Sequence, residues 1–247
     1  MIFHEFGERS GKSIMLIHGL GTTWEKSFGK VIPRLKGDYF VIAASLDGHD
    51  PEETTEYSNG KREAEQIEDY IKNQLQGRID LIYGSSLGCI PALLTAYRRQ
   101  AAVKKIILDG TADMSLGVLD RPLSGFAGWF GEQVLQGRMN WFLKLGGITP
   151  EMLQELAYTG ISRTTLRNAF LDSASLFRRV GKMRPCSGVK AALWYGSKEK
   201  SAAKGAKKIR RAFPNGSDKM FKGYGHGELL LHPEEFSREL KGWLEDG

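Results

Sequence analysis

Short runs of isoleucine, leucine and valine recur along this chain, and longer amphipathic stretches separate them. The apolar runs are Ile2–Phe6, Ser13–Ile17, Tyr39–Ser45, Ile79–Gly84, Lys105–Asp109, Val189–Tyr195 and Lys219–Lys222. Several are near-continuously apolar rather than alternating, which is the pattern of strands covered on both faces. The stretches between them, Trp24–Leu35, Gly60–Gln76, Leu87–Gln100, Ala202–Phe213 and Pro233–Leu244, repeat their apolar positions at helical spacing. Strands alternating with helices across short loops require a mostly parallel sheet with right-handed crossovers. The expected class is therefore α/β, with helices on both faces of the sheet.

One interval breaks the alternation. Residues 113–185 contain no convincing strand, only helical patterns punctuated by glycine and rich in large apolar side chains, among them Phe126, Trp129, Phe130, Trp141 and Phe142. Thr149 followed by Pro150 reads as a helix start within it. This is too much chain for an ordinary crossover. The expected division is a core formed by residues 1–112 and 186–247, with 113–185 inserted as a helical cap.

Composition limits the function classes. The chain has 247 residues, 41% hydrophobic and 26% charged, enough for one sizeable globular domain. No apolar run approaches the roughly 18 residues that span a bilayer, and MIFHEFGERSGK lacks the apolar centre of a secretory signal. Cys89 and Cys186 are too few for a disulfide framework and lack metal-ligand spacing, so a reduced, cytoplasmic setting is expected. The net charge of +6 is concentrated in KEKSAAKGAKKIRRAF, Lys198 to Phe213. That stretch reads as a solvated helix packed through Ala203, Ala206, Ile209 and Phe213, and not as a specific nucleic-acid site.

The chemistry-bearing residues fall where strands end. Gly84-Ser85-Ser86-Leu87-Gly88 follows one apolar run and opens a helix, and it fits G-x-S-x-G only with Ser86 in the centre. The flanking glycines leave room for a sharp strand-to-helix turn, and a serine there meets the positive end of the helix. A glycine-rich strand end without chemistry is the plainer alternative, with Ser85 as a local hydrogen-bonding residue. His18-Gly19-Leu20-Gly21 follows the strand SIMLI at the same sheet edge, where ligands of open α/β folds bind. His18 is read as structural rather than as a base, and His49 and His4 likewise. His226 sits between glycines after the last apolar run, a flexible and accessible setting for a general base. His232, just before Pro233, reads as a capping or packing residue.

Together, the Gly84–Gly88 turn, the His18–Gly21 loop and Gly225-His226-Gly227 resemble the α/β-hydrolase superfamily over essentially the whole chain. The resemblance implies Ser86 as nucleophile, His226 as base, and an acid between them in the sequence. The usual aspartate position is occupied by Glu199, in Tyr195-Gly196-Ser197-Lys198-Glu199, while Asp113 and Asp109 remain as alternative acids. Backbone N–H groups of Leu20 and Leu87 would bind the oxyanion. No metal or organic cofactor is implied. The expected partner is a small acyl substrate, above all an ester of a small or medium carboxylic acid, with the oligomeric state left open. A thioesterase, peptidase or carbon–carbon bond hydrolase on the same fold remains an alternative, as does a binding protein without turnover.

Overall fold

The computed structural model describes residues 1–112, 115–138 and 150–246. Seven strands form one sheet: β1 (Ile2–Phe6), β2 (Ser13–Ile17), β3 (Phe40–Ser45), β4 (Arg78–Ser85), β5 (Ala102–Asp109), β6 (Lys190–Gly196) and β7 (Ser217–Phe221). Their order is β1-β3-β2-β4-β5-β6-β7. All neighbours run parallel except β1, which pairs antiparallel with β3.

Every residue of β2 and β3 is buried, because the sheet is covered on both sides. Successive side chains point to opposite faces and feed two separate cores. Met15, Ile17, Ile42, Ile82 and Ile106 join one of them, with Ile67, Ile71, Ile90, Leu93 and Ile209. These last belong to α3 (Gly60–Gln74), α4 (Cys89–Arg98) and α8 (Lys200–Ala212). Ile14, Leu16, Val41, Leu81, Tyr83 and Ile107 enter the other, with Phe28, Phe236 and Leu240. Those come from α1 (Trp24–Phe28) and α9 (Pro233–Glu245). Phe236 is fully buried and meets Tyr83 edge to face at 4.9 Å. Truncating such an anchor to alanine costs about 3–5 kcal/mol.

The stretch expected as one helix over Trp24–Leu35 is two, α1 and α2 (Ile32–Leu35). Pro33 explains the break, since it has no N–H for the Gly29 carbonyl and its ring would clash there. Strand β5 begins at Ala102, three residues before the sequence pattern suggests. Exposed Ala102 and Lys104 hid its first residues, while the adjoining Lys105 donates from Nζ to the Trp243 and Leu244 carbonyls, both at 3.0 Å. In α8 the packed stripe runs through Ala202, Ala206, Ile209 and Ala212 and ends at buried Phe213, with Ala203 only half-buried.

Between β5 and β6 the described chain is helical: α5 (Asp120–Leu135), α6 (Pro150–Leu156) and α7 (Arg163–Val180). Helix α7 is held to the sheet domain by a buried carboxylate. Asp172 accepts from the Tyr57 hydroxyl and the Gly60 N–H, both at 2.6 Å, and pairs with Arg179 at 2.7 Å. Thr149, Trp141 and Phe142 lie outside the described residues.

Candidate active site

The parallel register brings several strand ends to one edge. Ile17 pairs with Gly84, Ser85 with Asp109, and Gly196 with Phe221. The loops leaving these strands carry His18, Ser86, Glu199 and His226, so residues far apart in sequence meet above the sheet.

Ser86 begins a single helical turn, Ser86–Gly88, between β4 and α4. Its φ is +51°, a left-handed conformation that costs a non-glycine residue about 1–2 kcal/mol. Such strain persists only where the surroundings enforce it. Here they do: a Cβ on Gly84 would lie 2.4 Å from the Gly88 carbonyl oxygen, and one on Gly88 would lie 2.5 Å from that of Ile17. Only glycine on both sides lets the turn close this tightly. Ser85 is buried on the strand side.

His226 Nε2 lies 2.9 Å from Ser86 Oγ, and its Nδ1 lies 2.6 Å from Glu199 Oε1. Glu199 is buried, and its second oxygen accepts the Gly196 N–H at 2.6 Å, which fixes the carboxylate plane. With Nδ1–H donating to Glu199, Nε2 is left to accept the serine proton. Burial pushes the His226 pKa down, but the hydrogen bond and charge of Glu199, with the charge of Asp109, outweigh it and hold the value above 6.5.

The alternative acid Asp109 is placed differently. It is buried at the end of β5 and takes a 2.6 Å hydrogen bond from the Tyr83 hydroxyl. Burial, with the nearby Glu199 charge, raises its pKa to about 6 against the opposing Tyr83 hydrogen bond. Asp113 lies outside the described residues. The sequence does not announce the Asp109–Tyr83 pair, since Tyr83 stands there only as part of the run Ile79–Gly84.

His18 is fully buried and makes two bonds of one tautomer: Nδ1 to the Gly19 carbonyl at 2.8 Å, and Nε2 accepting the Leu46 N–H at 3.1 Å. Burial and the neighbouring His49 lower its pKa to about 3. It holds the loop and cannot take up a proton near neutrality. His49 is equally buried, with Nδ1 donating to the Asp47 carbonyl at 3.0 Å. His4 stacks on Trp24, and His232 stacks on Tyr224 at 4.9 Å without capping α9.

Ser86 and His226 open into a cavity of about 490 Å³ whose walls include Leu20 and Leu87. Helices α5, α6 and α7 line it with residues such as Phe130, Val134, Leu153, Leu166 and Leu176. Of the aromatics singled out in the sequence, Phe130 lines the cavity, whereas Phe126 is 59% and Trp129 39% exposed. Among the described residues, no group of three His, Cys, Asp or Glu side chains is arranged to hold a metal ion. Nor is any described helix long and apolar enough to cross a membrane. Both cysteines are buried and free.

A strained serine at a strand-to-helix turn, bonded to a histidine that is bonded to a carboxylate, defines a class of hydrolytic protein. The sequence model of the α/β hydrolase fold family matches residues 12–149, more than half of the chain, and the chain belongs to that family. No curated protein matches the sequence. Among solved structures the chain is similar to an α/β hydrolase family protein from Desulfitobacterium hafniense, at 24% identity and a TM-score of 0.86 over 99% of this chain and 100% of that one. It is also similar to a carboxylesterase structure from the thaumarchaeon Nitrososphaera gargenis, at 16% identity, a TM-score of 0.73, and coverage of 98% and 93%. A third likeness is to the enol-lactonase from Burkholderia xenovorans, at 15% identity, a TM-score of 0.74, and coverage of 99% and 96%. At these identities the likeness is one of fold.

Proposed function

We propose that the chain is a serine hydrolase that cleaves esters of small or medium carboxylic acids through an acyl-enzyme. The observation that carries this reading is the continuous relay from Ser86 Oγ through His226 to Glu199 at the floor of an apolar cavity. Ser86 Oγ attacks the carbonyl carbon while its proton passes to His226 Nε2, and Glu199 stabilises the imidazolium formed. The N–H groups of Leu20 and Leu87 receive the developing oxyanion. Collapse of the tetrahedral intermediate breaks the bond to the alkoxy oxygen, which leaves as the alcohol with the proton from His226. Water then attacks the acyl-serine, gives its proton to His226, and the acid departs with Ser86 restored. Residues 113–185 act as the cap over the acyl site.

The carboxylesterase and enol-lactonase likenesses favour an oxygen ester as the scissile group, since a lactone is a cyclic ester. Two free, buried cysteines suit a reducing compartment, and the cytoplasm is the proposed location. A fluorophosphonate probe tests the reading. The expected result is stoichiometric labelling at Ser86 that blocks hydrolysis of a short-chain ester. An unlabelled Ser86 in protein that still binds ester ligands would instead indicate a binding protein without turnover.

A further inference from the structure

The cavity also carries information about which acyl group it accepts, an inference that rests on the hydrolase reading above. Among the described residues that line it, only Glu199 and His226 are titratable, and both belong to the relay. The remaining polar lining is neutral hydroxyl, such as Thr111 and Ser173. On the helices above, Arg163 pairs with Glu132, Arg167 hydrogen-bonds Ser124, Arg178 pairs with Asp120 and Arg179 pairs with Asp172, and neither these arginines nor Arg121 line the cavity. A carboxylate or phosphate entering between α5 and α7 would lose its hydration and meet no cation among the described lining residues.

Gly131 sits where those two helices face each other, on the side of α5 that also presents Val134 and Leu135 to the cavity. A Cβ built on it would approach Leu166 Cδ2 at 3.5 Å, an ordinary contact. A methyl therefore fits at this point, and the space left by its absence belongs to the cavity. Leu166, Ser173 and Leu176 face it from one side of α7.

We propose that the arm of the cavity between α5 and α7 is an acyl site selective for uncharged chains, and that Gly131 sets the chain length it admits. Nitrophenyl esters of acetate, butyrate, hexanoate and octanoate test this, each longer one paired with its ω-carboxylated counterpart. The wild-type protein should prefer hexanoate to the adipate monoester by at least about 100-fold in kcat/KM, because the charged terminus is desolvated without a partner. Gly131→Leu should lower the octanoate-to-acetate ratio by about tenfold or more, and Gly131→Ala should shift it the same way by less. Ser173→Lys should raise turnover of the adipate ester relative to hexanoate.

Equal rates on neutral and carboxylated esters would overturn the charge selectivity. An unchanged chain-length ratio in folded Gly131→Leu would overturn the role of Gly131; if that variant has no cooperative melt, the Gly131→Ala ratio decides. Failure to turn over any ester, with no labelling by a fluorophosphonate, would overturn the hydrolase reading itself. Ester turnover without discrimination would overturn this inference alone.

Discussion

Glu199 Oε1 lies 2.6 Å from His226 Nδ1, while Asp109, one strand over, accepts the Tyr83 hydroxyl at its Oδ2 instead. Two buried carboxylates thus approach the same histidine region, and only one is bonded to the ring. Glu199→Gln should keep the fold and lower kcat by at least about two orders of magnitude, since the imidazolium loses its counter-charge and its fixed tautomer. Asp109→Asn can still accept from Tyr83 and should stay within about tenfold of the wild type. Asp113→Asn belongs in the same assay. Near-normal Glu199→Gln beside a collapsed Asp113→Asn would move the acid to the segment after β5.

Ser86→Ala should reduce kcat by roughly 10⁴ or more, and Ser85→Ala should retain most activity. The positive φ of Ser86 adds a stability test. Alanine in a left-handed conformation keeps the strain, and glycine releases it. Ser86→Gly should therefore be about 1 kcal/mol more stable than Ser86→Ala, the reverse of their order in a helix interior. Chemical denaturation of both inactive variants measures the difference, and a more stable alanine variant would contradict an enforced turn.

The pH profile should report on the relay. Catalysis needs neutral His226, so raising its pKa moves the acid limb of kcat/KM upward, above pH 6.5. Removing the Glu199 charge leaves burial dominant and should move that limb down in the residual activity of Glu199→Gln. Asp109→Asn should move it in the same direction by less, because Asp109 acts only through its charge. An unmoved limb in Glu199→Gln would mean that the profile reports another group.

The sheet and its order of elements were legible because burial on both faces leaves β2 and β3 with no polar position to blur the pattern. Boundaries were read less well where exposed residues open a strand, as at Ala102 and Lys104, or where one proline splits a periodic stretch, as at Pro33. Ser86 was singled out by its spacing from two glycines, and those are the positions at which a Cβ would strike backbone. The sequence put Glu199 first but left Asp113 and Asp109 open, since strands β5 and β6 end at the same edge. What sets Asp109 apart is the tyrosine one strand away that bonds it, a contact no local pattern encodes. The division of labour between Phe130 and Trp129 was hidden for a similar reason. Adjacent helix residues point about 100° apart, and which of them faces the cavity is fixed by how α5 lies on α7.

The buried histidines outside the relay should govern acid stability, against an opposing carboxylate. Burial lowers His18 to about 3 and His49 to about 4, from 6.5. Below pH 6.5 the unfolded chain binds protons that the folded one refuses, so stability falls as pH falls, by about 2 kcal/mol for each histidine at pH 5. Glu63 works the other way. Burial and the neighbouring Asp47 charge push its pKa well above the usual carboxylate range, and its Oε1 has no hydrogen-bond partner. Its folded form holds a proton that the unfolded form releases above pH 4.5, so its contribution grows as pH falls toward that value. His49→Asn keeps a donor for the Asp47 carbonyl but cannot titrate. Relative to wild type, its stability should move in the favourable direction by about 2 kcal/mol on going from pH 7.5 to 5. Glu63→Gln should move the opposite way over the same interval. Urea unfolding of the three proteins at both pH values measures these differences directly. Variants that parallel the wild type would show that neither the histidine nor the glutamate is held in its neutral form by burial.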